Sequence, residues 1–130
     1  MKAGFVLPWA DPRTQLRQAV AAEDAGWDAV FIWESAYHPD SWCQLAAMAG
    51  ATSSIALGTM LTPLPWRRPW ELAAQAATVD QLSGGRVILT VGLGAVETGR
   101  AVASDPLDRR TRAELLDEGP IRTPTARCPS

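Results

Sequence analysis

Residues 80–94 read DQLSGGRVILTVGLG: a helical ending, two glycines, a short apolar run, and two more glycines. Gly84 suits the left-handed position just past a helix, where the missing Cβ removes the steric penalty. The run RVILTV (86–91) follows at once and is nearly continuously apolar, as a strand covered on both faces should be. Gly92 and Gly94 come after that strand, at the end where parallel α/β folds place ligands. The first glycine pair therefore reads as architecture and the second as a candidate site, with a plain tight turn as its alternative.

Upstream of this stretch the same alternation recurs. AGFVL (3–7) reads as a strand; Asp11 and Pro12 then supply an N-cap and a first helical residue ahead of Leu16, Ala19 and Val20 at helical spacing. Gly26 stops that helix, and WDAVFIW (27–33) is β-branched and aromatic, a second strand. Asp40 or Ser41 can cap a helix whose Trp42, Leu45, Ala46 and Ala49 share a stripe, before IALGTML (55–61) as the third strand. Pro69 opens the helix through Leu72, Ala76, Val79 and Leu82 that ends at Gly84. After the fourth strand, Ser104, Asp105 and Pro106 start a helix through Leu107, Thr111, Leu115 and Leu116, which the acids Asp117 and Glu118 end against the helix dipole. Four βα units of this kind predict an α/β domain over residues 1–118, with a parallel sheet covered by helices. Residues 119–130, with three prolines, two arginines and no apolar period, read as an irregular, disordered tail.

Composition narrows the function classes. At 130 residues with a formal net charge of −2 and 47% hydrophobic residues, the chain is one domain with neither a basic nucleic-acid surface nor a disordered composition. The apolar run before Pro8 is too short for a secretory or membrane segment, so a cytoplasmic location is expected, with no membrane partner. Cys43 and Cys128 form neither a disulfide framework nor a metal knuckle, and both are expected as free thiols. His38, the single histidine, reads as a loop residue, and no metal site is expected.

Taken together, EDAGWDAVFIWES (23–35), the stretch from Ala49 to Gly94 and RRTRAELLDEG (109–119) resemble the luciferase-like monooxygenases. This is the family of bacterial luciferase and the deazaflavin F420-dependent reductases. Within the second block, T-x-x-I-x-L-G-T, R-R-P and D-x-L-S-G-G-R carry the most specificity. The resemblance implies a TIM-type (β/α)8 barrel binding reduced FMN or F420 at the C-terminal mouth of its strands. A barrel of that kind takes about 250 residues. The chain thus reads as roughly half a barrel, with a tail that suggests an interrupted reading frame or a split protein.

The expected strand ends are Pro8 to Ala10, Trp33 to Ser35, Thr59 to Pro63 and Gly92 to Glu97, all facing one rim. Trp9 and Trp33 can wall a pocket for a tricyclic ring or simply pack the barrel end. Glu34 stands where relatives carry an acid, followed in many by a histidine; here that residue is Ser35. Glu34 is accordingly the candidate catalytic acid or base if it lies in a dry pocket, and a solvated loop acid otherwise. By resemblance, the third strand ends at Thr59 in a bulge with a cis peptide at Met60–Leu61 supporting the flavin ring. The loop of Gly92, Gly94, Ala95 and Val96 would hold the cofactor's phosphate end. A dinucleotide fingerprint is excluded there, because Glu97 occupies its third glycine position. Arg67 and Arg68 oppose the dipole at a helix start, so phosphate contact or an ion pair with Glu71 would account for them.

Two functional readings follow. One is a flavin- or F420-dependent oxidoreductase acting on a small-molecule substrate. The other is a catalytically silent half barrel that self-associates or pairs with a chain carrying the missing half, since four parallel strands leave two edges and an apolar face open.

Overall fold

The local signals are realised nearly where the sequence sets them. Asp11 caps α1 (Pro12–Asp24), its Oδ1 accepting from the N–H of Arg13 and Thr14 at 3.0 and 3.1 Å. Asp40 caps α2 (Ser41–Ala51) through the N–H of Cys43 at 2.9 Å. Pro69 is the first residue of α3 (Pro69–Ser83), and Gly84 ends it at φ 72°. The computed structural model describes residues 1–35, 38–95 and 108–122. Among them no helix is long and apolar enough to cross a membrane. Cys43 is an exposed free thiol, which the charge of Asp40 pushes up from its ordinary pKa; Cys128 lies outside the described residues.

The strands β1 (Gly4–Val6), β2 (Ala29–Ile32), β3 (Ala56–Thr59) and β5 (Val87–Ile88) form one parallel sheet in that order. Between β3 and α3 lie β4 (Thr62–Pro63) and a 3-10 turn (Leu64–Trp66). A sixth strand, β6 (Val91–Gly92), pairs with β4 in parallel. The expected third and fourth strands are therefore each broken in two. The third breaks at Met60–Leu61, whose peptide bond is cis. The fourth breaks at Leu89–Thr90, where the Thr90 carbonyl accepts from the Thr62 N–H at 2.8 Å, so both strands shift together into the β4–β6 pair.

Register decides what each face meets. Phe5, Val30, Leu57 and Val87 stand side by side, and this row packs on the helices in a core that includes Leu45, Met48, Leu72 and Val79. The adjacent row, Val6, Phe31, Gly58 and Ile88, faces away from the helices and is only partly covered; Ile88, Leu89 and Val91 are 38%, 44% and 41% exposed. At Gly58 a Cβ would come within 2.6 Å of the Ile88 carbonyl oxygen and 2.9 Å of the Phe31 ring, so only glycine fits that row.

The turn from α2 into β3 is held from both sides. Its amides go to Glu23 at the end of α1: the N–H of Ser53, Ser54 and Ile55 donate to the carboxylate at 2.9, 2.5 and 2.9 Å. Its carbonyls go to Arg86, which donates to the oxygens of Ala49, Thr52 and Ile55 at 3.1, 2.9 and 2.7 Å, and to Ser83 O at 2.6 Å. The turn's backbone groups are satisfied by two side chains of opposite charge from two neighbouring units.

The last helix corrects the sequence reading at its C-terminal end. α4 runs Arg109–Arg122 and is capped by Asp108, whose Oδ1 accepts from the Thr111 N–H at 2.8 Å; Ser104, Asp105 and Pro106 lie outside the described residues. It passes four residues beyond Glu118, so Asp117 and Glu118 are not in its last turn and the tail does not begin at Gly119. The reason is packing. Gly119 is buried against Leu64, where a Cβ would sit 2.4 Å from Leu64 Cδ2, and this contact carries the helix on.

Two outcomes follow from the clamp. Burial pushes the Glu23 carboxyl up, but the hydrogen bonds from Ser54, Ile55 and Ser53 outweigh it and hold the pKa down at about 2. A depressed folded value gives stability that is complete above the unfolded carboxyl value of about 4.3 and is lost as pH falls through the folded one. Between pH 4.5 and 2, wild-type urea midpoints should therefore drop more steeply than those of E23Q. R86M, which strands several backbone acceptors at once, should cost about 2–4 kcal/mol in urea unfolding at neutral pH.

Candidate active site

The chain turns at the C-terminal ends of the strands converge on one cleft of about 530 Å³, lined by Trp33, Glu34, Met60, Leu61, Pro63, Leu93, Gly94 and Ala95. Trp33 and Glu34 follow β2, Met60 and Leu61 join β3 to β4, and the last three follow β6. Parallel pairing in chain order brings these segments to one rim. Apart from Glu34 the lining side chains are apolar.

Glu34 is not a solvated loop acid: it stands buried at the wall of the apolar cleft, and it does not stand alone. Its side chain is fully buried and ion-paired with Arg67, whose Nη2 and Nε lie 2.5 and 2.7 Å from Oε1. Arg67 is itself held by Gln75 Oε1 at 2.9 Å from Nη1, with Asp40 Oδ2 at 3.9 Å from Nη2. The expected pairing of the two arginines with Glu71 does not form. Glu71 in the first turn of α3 already sits favourably against the helix dipole, while Arg68 lies over the Trp70 ring, 5.6 Å from its centroid. A buried carboxylate and guanidinium in this arrangement give the cleft wall a fixed dipole.

Thr59 and Gly92 do not line the cleft. Thr59 is fully buried beneath it, with its Oγ1 2.9 Å from Thr62 Oγ1, and its carbonyl accepts a short bond from the Thr90 hydroxyl. These three threonines tie β3 and β4 to the β5–β6 connection. Gly92 lies against Leu61, where a Cβ would meet Cδ2 at 2.5 Å. Gly94 does reach the wall, at φ 70°, with Pro63 Cβ and the Trp66 ring 2.7 and 2.6 Å from where its own Cβ would stand. Val96 lies outside the described residues. Trp9 stacks on Trp33 at 6.5 Å between centroids and on His38 at 4.0 Å. Trp9 and Trp33 are 49% and 44% exposed, so neither packs as core; Trp33 lines the cleft and Trp9 reaches it only by stacking on Trp33.

Two functional residues escape sequence reasoning: Arg67 as the partner of Glu34, and Arg112 in α4, which donates to Leu93 O and Gly94 O at 3.3 and 2.7 Å. The unfavourable position of Arg67 at a helix start was a legible signal that something else holds it. Its partner, 33 residues away, was not.

Similarity to known proteins agrees with this geometry. The chain is 40% identical over 96 residues to the Mycobacterium tuberculosis candidate coenzyme F420-dependent oxidoreductase Rv3520c, covering 72% of this chain and 27% of that protein. It is 35% identical over 95 residues to the 4-hydroxyprotoasukamycin monooxygenase of Streptomyces nodosus subsp. asukaensis, covering 66% and 26%. Its 37% identity over 92 residues with the F420-dependent glucose-6-phosphate dehydrogenase of Amycolatopsis mediterranei covers 64% and 28%. The chain thus spans about a quarter of the length of these relatives. Among solved structures, an F420-dependent secondary alcohol dehydrogenase in complex with an F420–acetone adduct superposes with a TM-score of 0.78 at 26% identity, over 92% of this chain and 40% of that one. The oxygenating constituent of 3,6-diketocamphane monooxygenase from Pseudomonas putida, in complex with FMN, shares the fold with a TM-score of 0.77 at 24% identity, over 93% and 38%. The profile of the luciferase-like monooxygenase family matches residues 1–118, and the chain belongs to that family.

Proposed function

We propose that this chain forms the cofactor-seating wall of a luciferase-like oxidoreductase. In this reading the cleft takes the tricyclic ring of coenzyme F420 or FMN, and a small organic substrate meets the ring from the open side. One observation carries the reading: successive strand ends meet at an apolar cleft of about 530 Å³ whose one charged lining group among the described residues is a buried, paired carboxylate. That volume falls within the roughly 300–1,000 Å³ of small-molecule sites. Its residues fit a flat heteroaromatic ring, because Trp33, Met60, Leu61 and Leu93 offer apolar surface and Gly94 brings bare backbone to the wall.

When bound, such a cofactor supplies the hydride or oxygen chemistry, while the protein orients it and keeps water away. Met60 and Leu61 would support the ring, and Gly94 and Ala95 would run beside the cofactor's chain. Glu34, locked by Arg67, would act as a fixed polar mark that orients ring or substrate. F420 is favoured over FMN by relatives above 25% identity such as the F420-dependent glucose-6-phosphate dehydrogenase and secondary alcohol dehydrogenase. The exposed row at Ile88, Leu89 and Val91 supports a second reading for assembly, in which a second copy or a chain carrying the remaining strands covers the inner face.

Titrating the 130-residue chain with F420 and, separately, with FMN tests both. Saturable absorbance changes with F420, and a mass above that of one chain by light scattering, are expected. Tighter FMN binding would reassign the cofactor; saturation with neither would remove the proposal. For the ion pair, R67M should destabilise the fold by about 3–5 kcal/mol by leaving Glu34 buried without its guanidinium. Adding E34Q to R67M should restore a large part of that loss in urea unfolding, and both variants should weaken cofactor binding.

A further inference from the structure

Arg112 is 8% exposed and carries a charge that no carboxylate offsets among the described residues. Burying a guanidinium this deeply is costly, so what it touches matters. It donates to Leu93 O at 3.3 Å and Gly94 O at 2.7 Å, and its Cζ lies 5.5 Å from the Trp66 ring centroid. Its Nε is buried with no hydrogen-bond partner among the described residues. Among the described residues its polar contacts thus go to the backbone of the glycine-bearing wall of the cleft, and its helix is also held where Gly119 packs on Leu64.

We propose that Arg112 is a positioning residue for the candidate active site, setting the path of the Leu93–Ala95 wall through its two carbonyl bonds. In a trans peptide the C=O and the following N–H point in opposite directions. Holding Leu93 O and Gly94 O toward α4 therefore turns the N–H groups of Gly94 and Ala95 away from the guanidinium. Gly94 at φ 70°, packed between Pro63 and Trp66, has little room to compensate if that hold is lost. α4 thereby transmits its position to the cleft through one side chain, whose removal should loosen the wall without opening the sheet. The consequence for ligand affinity rests on the cofactor reading above; the consequence for the wall does not.

The test compares the wild-type chain with R112M and R112K by amide hydrogen exchange and by cofactor titration. In R112M, exchange at Gly94 and Ala95 should rise roughly ten- to hundredfold, the range expected for losing charge-assisted hydrogen bonds, while Val30 and Leu57 exchange as in wild type. R112K, which keeps the charge but cannot span two carbonyls as a fork, should fall between them. Cofactor dissociation constants should weaken in the same order. Unchanged exchange at Gly94 and Ala95 in a folded R112M, or a rise spread evenly over the core strands, would overturn the proposal and leave Arg112 as a packing residue of Trp66. If R112M does not fold, R112K decides by the same selective pattern. Wild type binding neither cofactor would defeat the functional reading, while the exchange measurement would still decide the role of Arg112.

Discussion

The turn between α2 and β3 is the constraint on which the arrangement hangs. A parallel sheet needs each strand to start at the same level, and nothing in a short apolar strand sets that level by itself. Here Glu23 gathers the amides of residues 53–55 and Arg86 gathers the carbonyls of Ala49, Thr52 and Ile55. One acid from the first unit and one base from the fourth thus fix the start of the third strand. Because the groups they hold are backbone groups, the clamp fixes position rather than side-chain identity.

The cleft at the other end inherits this order. With the strand starts level, the segments that follow β2, β3 and β6 arrive at one rim, and apolar residues of different units come to share a wall. Polar groups there are treated in two ways. The threonines at 59, 62 and 90 are spent on one another beneath the cleft. Glu34 and Arg67 are paired at its wall. This side of the site therefore presents apolar surface and one buried ion pair.

The motif that carries the family resemblance divides along the same line. Thr52, Ser83 and Arg86 belong to the clamp at the N-terminal ends of the strands, and Gly84 and Gly85, at φ 72° and 86°, let the chain turn so that Arg86 points back to it. Gly94 belongs to the cleft. The glycine pairs on either side of residues 86–91 thus serve opposite ends of the sheet, as their placement in the sequence suggests. Legible too were the caps at Asp11 and Asp40, the helix start at Pro69 and the stop at Gly84, because capping and helix-stop chemistry act within a few residues.

What the sequence determined by itself was the alternation of strand and helix, the parallel class, and the segments that end at the rim, since all of these follow from local periodicity and turn chemistry. Tertiary structure alone decided the partners. Glu34 found Arg67 rather than solvent, Thr59 went beneath the cleft, α4 ran on past Glu118 to seat Gly119 on Leu64, and Arg112 reached the wall at Gly94. Each of these joins residues far apart in the chain. Such contacts are set by how the units stack, and a linear pattern carries no record of which distant atoms that stacking brings within a hydrogen bond of each other.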